Sequence, residues 1–187
     1  PETHPNYHKA STVYKYDPEK AKKLLKEAGV EKLHLNLLTT DHTWITKLSP
    51  QVVEDLKAVG VTVELKSLAS SSLYKDHTDV DNPNFDVVLA PGDPSVFGND
   101  PDLLMNWWYG DNSWTQKRTQ WKDSEGYKKL HEKLDKAVRS TGSEQQKAWN
   151  EAYDIVAKEV PLYPLFHRKV VTAHYPKRAS AYAPIST

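Results

Sequence analysis

EKLHLNLLTTDHTWITKLSPQVVEDLKAVGVTVELKSL, residues 31–68, decides the fold. Its first part alternates: Leu33, Leu35 and Leu37 are separated by His34 and Asn36, as in a strand with one face better buried than the other. The middle reads as a helix opened by Ser49 and Pro50, carried by Val52, Val53, Leu56 and Val59, and closed by Gly60. A start near Thr43 with a kink at Pro50 is the alternative. Val61 to Leu68 then alternates again. A strand, a helix and a strand joined by loops this short form a right-handed crossover with parallel strands in nearly all folds.

Working outward, YDPEKAKKLLKEAGV (16–30) is a short amphipathic helix with both ends marked. Asp17 caps it, Pro18 sits where a missing N–H costs nothing, Ala21, Leu24, Leu25 and Ala28 share a face, and Gly29 takes the left-handed position. Downstream, the polar segment Ser70 to Asp79 has room for a short helix, and FDVVLA (85–90) reads as a strand buried on both faces. DPDLLMNWWYG (100–110) predicts one to two helical turns behind a capping aspartate or asparagine. Two longer helices follow. Ser124 opens one with Tyr127, Leu130, Leu134 and Val138 on its inner face; Ser143 and Gln146 form a capping box for another carrying Trp149, Ala152, Tyr153, Val156 and Val160. PLYPLFHRKVVTAHY (161–175) predicts one or two strands, which Pro161 and Pro164 push to a sheet edge. The class is α/β, a mixed, partly parallel sheet flanked by helices. Residues 1–16 are polar and aperiodic, a leader or strap lying on a neighbour.

Composition removes whole classes of function. Lys plus Arg and Asp plus Glu both total 25, leaving no net field to draw in nucleic acid or an anionic membrane. The chain has no cysteine, which excludes disulfides and thiolate chemistry. No run of about 18 apolar residues occurs, so nothing here reads as a membrane span. At 187 residues the chain should bury roughly 70% of its unfolded surface, enough for one core. The only methionine is Met105, and both ends read as cut from a longer polypeptide.

Catalytic readings gain little. Asp93, Asp100, Asp102 and Asp111 crowd one loop region, but glycoside hydrolysis needs two carboxylates held about 5 Å or about 7–9 Å apart, and aspartate is a common cap and turn former. The eight histidines include no HExxH, His167 and His174 flank one predicted strand without metal-site spacing, and no phosphate-binding glycine loop or GxSxG occurs. Neither catalytic residues, a metal site nor a cofactor is expected. The aromatics say more. Trp107, Trp108, Tyr109, Trp114 and Trp121 fall within fifteen residues, and neighbours on a helix are turned by about 100°, so Trp107 and Trp108 cannot both face one core. At least one faces a ligand or partner, while Trp44 and Trp149 sit in core stripes. Tryptophans beside aspartates also suit a carbohydrate-active enzyme or carbohydrate-binding module.

Taken in order, YKYDPEKAKKLLKEAGV, LKAVGVTVEL, FDVVLAPGDP, the Asp-Pro and aromatic segment, and EQQKAWNEAYDIVAKEVPLYPLFHR resemble family 5 extracellular solute-binding proteins, the peptide- and nickel-type receptors of ABC importers. The resemblance spans about Tyr14 to Tyr175. It implies the C-terminal lobe (17–175) of a two-lobed periplasmic-binding-protein-like fold, with 1–16 and 176–187 as crossover segments toward a missing N-terminal lobe. It further implies a non-enzymatic, extracytoplasmic role, in the periplasm or on a cell-surface lipoprotein. A permease would be the partner, a peptide or other small solute the ligand, and a lipid anchor outside this chain the only link to a membrane. Peptide-binding relatives offer an aspartate to the peptide amino terminus a few residues before an Asp-Pro pair. Asp100-Pro101 matches that pair, Phe97 stands nearest the aspartate position in a loop about two residues longer, and Asp93 substitutes if the loop folds back. The expected cleft wall is Asp93, Ser95, Phe97, Asn99, Trp107 and Trp108, with backbone groups of Gly92 and Gly98.

Overall fold

A computed structural model describes residues 2, 6–92, 99–166 and 175, with Trp114 described by its backbone alone. The elements are α1 (Pro18–Glu27), β1 (His34–Thr40), α2 (Thr43–Ala58), β2 (Thr62–Leu68) and α3 (Ser70–Ser72), which runs into a π-helical stretch (Leu73–Thr78). Then come β3 (Val87–Leu89), α4 (Pro101–Tyr109), α5 (Ser113–Thr119), α6 (Glu125–Arg139) and α7 (Gly142–Glu159).

The crossover forms as its spacing requires. β1 and β2 pair in parallel from His34 opposite Thr62 to Thr40 opposite Leu68, and β3 joins the other side of β1, also in parallel, with Leu37 opposite Val87. The described sheet therefore runs β2-β1-β3. Its centre explains two departures from expectation. In β1, Leu37, Leu38, Thr39 and Thr40 are all buried, because the middle strand of a parallel sheet is covered on both faces. FDVVLA contributes only three strand residues, at an edge of the sheet formed by the described residues, and Val87 is exposed. Asp86 secures that short edge: its Oδ2 accepts from the Asn36 amide at 2.7 Å and Asn36 Nδ2 at 3.0 Å, while its own N–H donates to Asn36 O at 3.1 Å.

α2 starts at Thr43 and carries Pro50 in its interior, the second of the two readings of that helix. Ile45 and Ser49, both buried, lie on its inner face, and α2 packs on β1 and β2. α1 and α2 end in the same way. The amides of Val30 and Gly29 reach the carbonyls of Leu25 and Lys26, those of Val61 and Gly60 reach Leu56 and Lys57, and the two glycines adopt φ of 70° and 93°.

The second half is helical. Met105, Leu130, Leu134, Ala137, Ala148, Trp149 and Ala152 form one buried cluster, flanked by Tyr109, Trp121, Tyr153, Ile155 and Val156. Val138 lies outside it, exposed, and the smaller Ala137 takes the inner position at the tight α6–α7 approach. Ser124 caps α6 as expected, accepting from the Tyr127 amide at 3.0 Å. The capping box at Ser143 and Gln146 does not form. α7 starts two residues early, with Thr141 as its cap residue, while Gln145 donates to Ala137 O at 2.9 Å and Gln146 to Asn150 Oδ1. Trp149 is buried as expected; Trp44 is only partly so, with its ring edge-on to Phe166 at 5.8 Å. Of the closing segment, 161–166 is irregular, and 167–174 lies outside the described residues.

An ionic strut joins the halves. Arg118 of α5 donates twice to Asp79 at the end of the π-helical stretch, at 2.6 and 2.7 Å, and its guanidinium lies 4.5 Å from the Tyr74 ring centroid. Lys117 adds a bond to Asp79 O at 3.2 Å and a pair with Asp81 at 2.8 Å. The Arg118 hydrogen bonds hold the Asp79 carboxyl below the usual carboxylate range, and burial pushes the Tyr74 phenol up.

Candidate functional site

α4 is the element that presents the two adjacent indoles, and its sequence mounts it at both ends. Asp100 Oδ1 accepts from the amides of Asp102 at 2.9 Å and Leu103 at 3.4 Å, and Pro101 occupies the first turn. At the other end, side chains bond the carbonyls of the last turn, where a helix runs out of backbone partners after Gly110 N–H has reached Asn106 O. Asn112 Nδ2 donates to Asn106 O at 3.3 Å, Thr115 Oγ1 to Trp107 O at 3.1 Å, and His131 Nε2 to Tyr109 O at 3.1 Å. Asn112 also caps α5, accepting from the Thr115 amide at 2.8 Å. The helix runs nine residues, longer than the one or two turns expected, because α5 and α6 hold its final turn.

Rotation about α4 assigns the side chains. Met105 points inward, only 1% exposed, and Tyr109 joins it, its phenol pushed up to about 12 by burial. Trp108 is half-buried beside Gly92, three residues past the end of β3. A Cβ at Gly92 would meet the Trp108 Cη2 at 3.0 Å and Cζ2 at 3.2 Å, so glycine lets the backbone lie under the indole. The opposite face is open: Leu103 at 54% and Trp107 at 47% exposure stand one turn apart. The two indoles thus do different jobs, Trp108 sealing the start of the loop and Trp107 facing outward.

Asn99, exposed, immediately precedes the Asp100 cap, and its carbonyl accepts from Asn6 Nδ2 at 3.1 Å. Asp93, Ser95, Phe97 and Gly98 lie outside the described residues. The structure therefore brings together Gly92, Trp108 and Trp107, with Asn99 at the other end of the same helix.

The described carboxylates of this region have structural partners. Asp100 is a cap, and Asp102 Oδ1 accepts from Asn106 at 2.6 Å. Asp111 accepts from Gln116, from Lys122 at 3.4 Å and from Tyr127 at 3.3 Å. Burial first and Asp111 second raise the Tyr127 phenol. Among the described residues no group of three or more His, Cys, Asp or Glu is placed to hold a metal ion. No helix among them is long and apolar enough to cross a membrane.

A depression of about 390 Å³ lies at the first turn of α4, lined by Asp100, Pro101 and Asp102, by Gln145, Gln146 and Trp149 of α7, and by Asn6. It does not include Trp107 or Trp108. Sequence reasoning passed over α5, Asn6 and Arg118; of these only α5 left a local sign, the Asn112-Ser113 cap pair.

Comparison with known proteins places this geometry. Residues 1–116 match the family model described as bacterial extracellular solute-binding proteins, family 5, middle part. The chain belongs to that family. Its fold is similar to that of the ABC transporter substrate-binding protein CtaP from Listeria monocytogenes, with a TM-score of 0.72 and 22% identity over 87% of this chain and 32% of that one. The periplasmic binding protein DppA from Helicobacter pylori, solved with the peptide STSA, gives 0.65 and 21% over 86% and 31%. NikA from Staphylococcus aureus, solved with Ni(L-His)2, gives 0.66 and 17% over 84% and 32%. The chain thus spans about a third of the length of these proteins. No curated protein matches it.

Proposed function

We propose that this family 5 member captures a small solute for an ABC importer, without catalysis, and that the Trp107 face of α4 and the loop 93–99 form one wall of the ligand cleft. The observation that carries the reading is a helix held at its last turn near the carboxyl end of a parallel sheet, which turns one indole outward while its neighbour packs on Gly92. Ligands of open α/β sheets settle in the crevice beyond the carboxyl ends of the strands. A large aromatic there offers wide contact area with few rotors to freeze.

The similar proteins bound a peptide and a nickel–histidine complex, so the scaffold accepts unlike cargoes. Within this reading Asp93 meets a ligand ammonium group, Ser95 and Asn99 offer polar contacts, and Phe97 adds apolar area. The rest of the cleft comes from a second lobe of the same polypeptide. The receptor works outside the cytoplasmic membrane, in the periplasm or as a lipoprotein held by an anchor outside this chain, and delivers to a permease. The partners found for Asp100, Asp102 and Asp111 favour this over a carbohydrate-active enzyme.

The test starts with the full-length protein, whose co-purifying solute is identified by native mass spectrometry and then titrated calorimetrically. Trp107→Ala is expected to weaken binding by about 10-fold or more, the effect of losing ~1.5 kcal/mol of aromatic contact. Unchanged affinity in the double variant Trp107→Ala, Asp93→Ala would remove α4 and its loop from the cleft.

A further inference from the structure

The 390 Å³ depression separates Asp100, Pro101 and Asp102 from Val138, Gly142, Gln145, Gln146 and Trp149. One residue from a distant part of the sequence lines this gap and bonds across it: Asn6, whose side-chain amide donates to Asn99 O at 3.1 Å. Asn6 belongs to a segment fastened along α7. The Ser11 amide donates to Asp154 Oδ1 at 2.7 Å, His8 Nε2 lies 3.2 Å from the same oxygen, and the His8 ring stacks on Tyr153 with centroids 6.5 Å apart. Three residues on, Tyr14 OH donates to Lys158 O at 2.9 Å. Asp154 is the hub, since one of its carboxylate oxygens takes the Ser11 amide hydrogen bond and lies beside the His8 ring.

We infer that residues 6–16 are a positioning strap, pinned to α7 by Asp154, that sets the first turn of α4 through Asn6 and thereby the orientation of the Trp107 face. The physical case is one of alternatives. The last turn of α4 is held by three side-chain bonds from α5 and α6, whereas its first turn faces a polar gap and has Asn6 bridging that gap. A displacement of the strap along α7 therefore pulls on Asn99 and tilts α4 about its fixed C-terminal end. The link is mechanical and does not depend on the cargo; only its consequence for ligand affinity rests on the function proposed above.

Hydrogen exchange on the full-length protein without ligand tests the link separately from the ligand reading. Asn6→Ala is expected to speed exchange of the Asp102 to Leu104 amides about fivefold, the effect of one lost hydrogen bond, while residues 8–14 and the α6 amides around Leu130 stay as in the parent. Asp154→Ala is expected to speed exchange in both the strap and the first turn of α4. Should Asp154→Ala free the strap while residues 102–104 exchange as before, the positioning role is overturned. If Asp154→Ala also loosens α6, the Asn6→Ala result alone decides, and unchanged exchange at residues 102–104 in that variant sinks the proposal.

Discussion

α1 and α6 follow the same sequence grammar and meet different fates. Each is capped by a short polar side chain, Asp17 accepting from the Lys20 amide and Ser124 from the Tyr127 amide, and each carries an apolar stripe at helical spacing. α6 buries Gly126, Tyr127, Leu130, Leu134 and Ala137, whereas α1 buries none of its residues and leaves Leu24 at 53% exposure. A stripe states which face of a helix favours cover. Whether cover arrives is decided by what the chain brings to that face: α7, antiparallel neighbour by virtue of a two-residue connection, covers α6, while α1 follows a strap whose described bonds go to α7 and Asn99 and not to it.

The comparison breaks most readily at its core end. Leu130→Ala is expected to cost about 3 kcal/mol in urea unfolding, because a fully buried leucine leaves a cavity. Leu24→Ala on α1 should stay within about 0.5 kcal/mol; equal losses from the two would mean that the α1 stripe is covered after all. Next in size is the strut between the halves. Asp79→Ala removes both charge-assisted bonds to the partly buried Arg118 guanidinium, at an expected cost of about 2 kcal/mol. Lys117→Ala, whose pair with Asp81 is open to solvent, should cost far less in the same assay.

The smallest expected effect belongs to the strap. Burial raises the Asp154 carboxyl, but bonds from Ser11 and the nearness of the His8 ring outweigh it, so its folded value lies below the ordinary one. A carboxylate depressed on folding stabilises at pH above the unfolded value of about 3.9, and that stabilisation is lost as pH falls through the folded value. Strap protection in hydrogen exchange is therefore constant from pH 7 to about pH 5 and declines below about pH 4. In Asp154→Asn the decline should be absent. A strap that loosened instead between pH 5 and 7 would point to a group other than Asp154.

What could be read from the sequence was local. The crossover of residues 31–68, the caps at Asp17, Asp100 and Ser124, and the turning glycines 29 and 60 all follow from neighbours within five positions, and each took the form that chemistry dictates. Departures came where distant residues compete. Gln146, expected to reach back into a capping box, bonds Asn150, and Gln145 bonds a carbonyl of the preceding helix. The FDV segment reads from its apolar run as a strand buried on both faces, yet Val87 is exposed and its aspartate fastens the strand to Asn36, fifty residues away. Arg118 with Asp79 and Ser11 with Asp154 are separated by 39 and 143 positions and leave no periodic trace. At the proposed site, the divergence of Trp107 and Trp108 followed from helix geometry alone, but Gly92 as the seat of Trp108 did not.

The most direct measurement of the central claim is hydroxyl-radical footprinting of the full-length protein with and without the solute that co-purifies with it. The account predicts that oxidation of Trp107 falls several-fold on ligand addition while the already buried Trp149 stays unreactive in both states. Equal oxidation of Trp107 in the two states, at ligand concentrations that saturate the calorimetric signal, would contradict it.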